Sequence, residues 1–69
     1  MRVKGFDVPK DPHGMIEAIR NFVPLNSELV GIFPAPEEAH LWDRVSFIFS
    51  NVQFEDVPEG GVIPHIKIG

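Results

Sequence analysis

Side chains able to do covalent chemistry are few. Ser27, Ser46 and Ser50 carry the only hydroxyls, and the chain contains no Cys, Thr or Tyr. A serine nucleophile needs a base in hydrogen-bond reach and a third group to orient that base. Ser46 has His40 and Asp43 nearby in sequence, so a triad can be drawn on paper. Such triads are defined in space rather than by proximity along the chain, and no G-x-S-x-G elbow surrounds any serine. The simpler reading makes Ser46 and Ser50 the solvent-facing positions of a half-buried strand. No catalytic residue is assigned.

Metal and anion chemistry have little more to draw on. His13, His40 and His65 are far apart in sequence and thiolates are absent. Glu37 and His40 have the Glu-x-x-His spacing of carboxylate-bridged metal sites, but such sites need two of these motifs and a long helical bundle. Neither a metal nor any other cofactor is expected. Lys10, His13 and Gly14 surround a helix start whose free N–H groups and dipole suit an anion. Against this, Asp11 as the N-cap would place its own carboxylate at the same positive end.

The remaining candidates belong to recognition. Trp42 sits among Glu37, Glu38, Asp43 and Arg44, the setting of an interface anchor that a protein partner would bind. The alternative is a lid over one end of a sheet. Ten acidic against six basic residues give a net charge of −4. A nucleic-acid binder usually presents a basic face, so direct DNA or RNA binding is not expected. No apolar run approaches the roughly 20 residues of a membrane span. Met1 leads into charged Arg2 and Lys4 without an apolar stretch behind them, so no signal peptide is expected, and with cysteine absent the expected compartment is the cytoplasm.

These residues must be positioned by short elements, because seven prolines and six glycines punctuate 69 residues. Val and Ile number fifteen against three Leu, a balance that favours strands. Arg2 to Val8 reads as a strand with a slip in its alternation at Gly5, where a bulge could sit. A helix is predicted over about 11–23, with Asp11 as N-cap, Pro12 in the first turn, and an apolar stripe of Met15, Ile16, Ile19, Phe22 and Val23. Glu28 to Phe33 is nearly all apolar and reads as a central strand. A helical turn is expected near 36–41, then a strand from about Asp43, although Leu41, Val45, Ile48 and Val52 also fit a helical stripe. At Ser50-Asn51 the apolar phase flips, through a bulge or a tight turn. Val62 to Ile68 is the last strand, with Ile66 and Ile68 inward; Pro64 makes it an edge or delays its pairing. The expected fold is α+β: a single domain with one main helix on a mostly antiparallel sheet of four or five short strands.

The function expected on these grounds is that of a small acidic, non-catalytic interaction protein. It would be a regulator, inhibitor or accessory subunit, of a kind encoded by phages or mobile elements, that docks on a larger protein. The alternative is a small-ligand or enzymatic domain whose site forms between copies. A chain this short, with no disulfide or metal, is often stabilised by oligomerisation. A homodimer is therefore expected, with Phe47, Phe49, Phe54, Ile66 and Ile68 at its interface.

Overall fold

The computed structural model describes residues 1–35 and 44–69. Along the chain run β1 (Val3–Pro9), α1 (Pro12–Phe22), β2 (Glu28–Pro34), β3 (Arg44–Ser50) and β4 (His65–Lys67). The helical turn expected near 36–41 lies outside the described residues. Arg44–Ser50 is a strand, which decides between the two periodicities of that stretch: Val45, Phe47 and Phe49 share one face, as β-branched and aromatic residues on a pleat do.

The four strands form one sheet in the order β2-β3-β1-β4. The class is α+β, but the sheet is mixed and not mostly antiparallel. β3 pairs antiparallel with both β1 and β2, whereas β4 runs parallel to β1. The cause lies in the route of the chain. β3 ends at Ser50 opposite Val3, where β1 begins, and both its edges are already occupied. Residues 51–64 stay at that end of the sheet: Asp56 bridges to Arg2, and the Val57 amide donates to the Met1 carbonyl at 2.7 Å. The chain then enters its last strand in the same direction as β1.

Both faces of β1 are buried, because Val3 faces one side of the sheet and Phe6 and Val8 the other. On the helix side, Phe6 meets Phe49 edge-on at 6.0 Å and lies 6.1 Å from Phe54, with Ile19, Val23, Phe47 and Ile68 around them. On the opposite side Val3, Ile48 and Val57 form a smaller cluster with Ile63. The strand has no bulge at Gly5, since its pairing with β3 is continuous from Val3 to Pro9. The phase flip after Ser50 is a turn in which the Asn51 side chain accepts from the Gln53 amide at 2.8 Å and the Asn51 carbonyl from the Phe54 amide at 3.1 Å. β2, read as central, is an edge strand whose Leu29, Val30, Ile32 and Phe33 are all more than half exposed. The last strand is shorter than expected and pairs only after Pro64.

Candidate functional site

Among the described residues, folding gathers a polar cluster on the face opposite α1. Asp7 and Ser46 are register partners on β1 and β3, and both are buried. His65 arrives from β4 opposite Gly5. Its ring lies flat over that glycine: a Cβ there would sit 2.4 Å from Nδ1. The same Nδ1 lies 2.8 Å from Asp7 Oδ1 and 3.2 Å from Ser46 Oγ. A carboxylate at that distance fixes the proton on Nδ1, leaving the lone pair of a neutral ring on Nε2.

This is a Ser-His-Asp contact without the wiring of a nucleophilic triad. A triad needs the serine on one ring nitrogen and the carboxylate on the other, so that a proton drawn from the hydroxyl is matched by charge behind the ring. Here both partners share Nδ1, and Ser46 is only 1% exposed. The arrangement docks β4 onto β1. It is reinforced by the Gly5 amide donating to the Pro64 carbonyl and the Ile68 amide to the Asp7 carbonyl, each at 2.8 Å. Among the described residues no group of three His, Asp or Glu side chains could hold a metal ion.

The residues singled out in the sequence fare differently. Glu37, Glu38, His40, Trp42 and Asp43 lie outside the described residues. Arg44 is committed inside the chain: its guanidinium donates to the Ile68 carbonyl at 2.9 Å and to the Gly69 carbonyl. At the helix start the Gly14 amide donates to Asp11 Oδ2 at 3.1 Å, so the cap carboxylate occupies the place an anion would take beside exposed Lys10 and His13. Phe49 and Phe54 are buried in the chain's own core, Phe47 and Ile68 are half-buried, and Ile66 is exposed. The Asp7–His65 contact was missed, being 58 residues apart. Its available signal was a glycine inside a strand, which often marks the close approach of another group.

A different kind of site lies on the helix side. Among the described residues α1 packs over β1, with Ile19 and Val23 in the cluster around Phe49, and β2 on the same face is left largely exposed. A groove of about 470 Å³ runs beside the helix, with Ile16, Ile19, Arg20 and Val23 as its wall, Phe49 in its floor and Leu25 at its end. The loop at that end is held by Asn51, whose side-chain amide donates to the Leu25 carbonyl at 3.2 Å and to Ser27 Oγ at 3.0 Å. Exposed Ile16 and Leu25 line it, and exposed Leu29 and Ile32, the register partners of Phe49 and Phe47, lie on the same face of the sheet. A second hollow, of about 430 Å³ at the end of the sheet, has Arg2 as its only cation. That guanidinium is engaged with the Val52 and Phe54 carbonyls. Compared with protein families, curated proteins and solved structures, the chain matches none.

Proposed function

We propose that the chain is a non-catalytic interaction protein that docks on a larger protein through the groove beside α1. The observation that carries this reading is the apolar surface around that groove, where Ile16 is 59% and Leu25 88% exposed. Isolated surface apolar residues need no explanation, but contiguous ones around a concavity mark interaction sites. Arg20 stands on the groove wall with no ion-pair partner among the described residues. The segment it fits therefore carries apolar anchors and a carboxylate.

The alternative, a ligand-binding or enzymatic domain completed between copies, draws its support from the Asp7–His65 pair and its outward Nε2. It is the weaker reading, because nothing among the described residues converges on that nitrogen. A photo-crosslinking residue at position 25, expressed in the native cell, tests the docking proposal. The expected result is one discrete adduct with a larger protein, lost on Ile16→Glu and kept on His65→Ala. An adduct indifferent to Ile16→Glu, or no adduct at all, would overturn it.

A further inference from the structure

The space beside α1 has the dimensions of a second helix. α1 lies closest to β1, and β3 and then β2 follow outward from it. Neighbouring strands are about 4.8 Å apart, so β2 runs roughly 10 Å to the side of β1. Packed helices keep their axes about 8–10 Å apart. A helix laid against α1 would therefore stand over β2, on exposed Leu29 and Ile32, with Phe49 beneath the seam.

The backbone around the groove points the same way. β3 is already paired on both sides. At the groove's end the Pro24 carbonyl accepts from Ser27 Oγ at 2.7 Å, and the Leu25 carbonyl accepts from the Asn51 amide. An extended segment lying here would find no ladder to join, and its buried amides and carbonyls would lose their water without replacement. A helix bonds its own backbone internally.

Charge then sets the sequence and direction of that helix. Arg20 is the only charged residue among the described ones lining the groove. It is exposed and stands in the last turn of α1. Glu28 is the register partner of Ser50, not of Phe49, so it faces the other side of the sheet. A helix antiparallel to α1 brings its first turn beside Arg20. That is where its own dipole favours an acidic side chain, just as a basic one is favoured in the last turn of α1.

We infer that the occupant is an amphipathic helix of the partner protein, laid antiparallel to α1 over β2, with a carboxylate in its first turn on Arg20. Ile16, Ile19 and Val23 span two turns, about 10 Å, so the helix carries apolar residues at i, i+3 or i+4, and i+7. The inference rests on the docking reading and specifies its partner. A second copy of α1 does not meet the description. Its first turn holds no acidic residue, its cap Asp11 is engaged with the Gly14 amide, and its apolar stripe already packs on the core around Phe49.

Selection on the purified chain from a displayed library of random peptides, each about 15 residues or four turns long, tests it. Binders lost on Ile16→Glu are those in the groove. They should carry Asp or Glu followed by apolar residues at helical spacing, gain helical circular dichroism on binding, and shift the Leu29, Ile32 and Phe49 resonances. Arg20→Glu should weaken them about tenfold, and replacing the peptide's acid by Lys should restore binding to that variant. Groove binders that stay extended, or that are indifferent to Arg20→Glu, would overturn the inference and leave the docking reading standing. No groove binder at all would overturn it too, and the crosslink at position 25 would then decide the docking reading alone. If Ile16→Glu fails to fold, the resonance shifts in the wild-type chain still locate the site.

Discussion

Gly5 is the residue on which the placement of His65 depends. The imidazole occupies the volume where a Cβ would stand, and from there it reaches Asp7 and Ser46 together. Gly5→Ala forces the ring off the strand and should cost about 1–3 kcal/mol, as overpacking does in a filled site. In a His65→Ala background the same substitution should cost much less, because the clash is gone. Chemical denaturation of the four proteins measures the coupling; equal costs in both backgrounds would mean that the ring does not lie there in solution. A second prediction concerns Asp56. The Met1 ammonium, hydrogen-bonded to it at 2.6 Å and adding its charge, holds this carboxyl below its ordinary value of 3.8. A lowered folded-state value means that the pair favours folding above pH 3.8 and that this gain fades as pH falls through the lower value. The pair is exposed, so the gain is small and screened by salt. An NMR titration should place the Asp56 midpoint below 3.8, moving up in high salt; a midpoint at or above 3.8 would show that the pair does not form.

At the scale of elements, α1 is the piece most fully specified by local signals. Asp11 caps it through the Gly14 amide, Pro12 occupies the first turn, and the Val23 amide closes its end on the Ile19 carbonyl at 3.1 Å. Asp11→Ala should lower stability by about 0.5–2 kcal/mol, with no effect on the mass in solution. Equal denaturation midpoints would place the start of the helix elsewhere. β2 shows how far an element can depart from its composition. A strand nearly all apolar after Glu28 reads as central, yet here it stands at an edge, with the Phe33 ring folded back over its own Gly31. Pro34 was the local sign, because a proline at a strand's end is tolerated at an edge.

For the whole molecule, the central question is how 69 residues without a disulfide are held together. α1 packs over β1 on one side of the sheet, Val57 and Ile63 pack on Val3 and Ile48 on the other, and the segment 51–64 also contributes Phe54 to the helix-side core. Phe54 is 8% exposed and in contact with Phe6. Phe54→Ala should therefore cost about 3–5 kcal/mol. That is comparable to everything a core of this size supplies. The thermal transition should be lost at every protein concentration. A transition lost only on dilution would instead place Phe54 at an interface between copies.

The local instructions were legible in the sequence because each acts within a few residues. The helix and its cap, the strand character of Val3–Pro9 and of Arg44–Ser50, and the late start of pairing after Pro64 all follow from neighbours along the chain. So does the thin supply of nucleophiles. What only the tertiary structure decided are the choices between partners far apart in sequence. Both edges of β3 are taken by β1 and β2, which sends β4 to the outer side of β1 and makes the sheet mixed. That same choice carries His65 onto Gly5 beside Asp7 and leaves apolar β2 at the opposite edge. Alternation along a strand tells which residues share a face, but it carries no information about which strand lies beside it. The side chains that meet across the sheet, and the edge left open, are therefore set by the order of the strands.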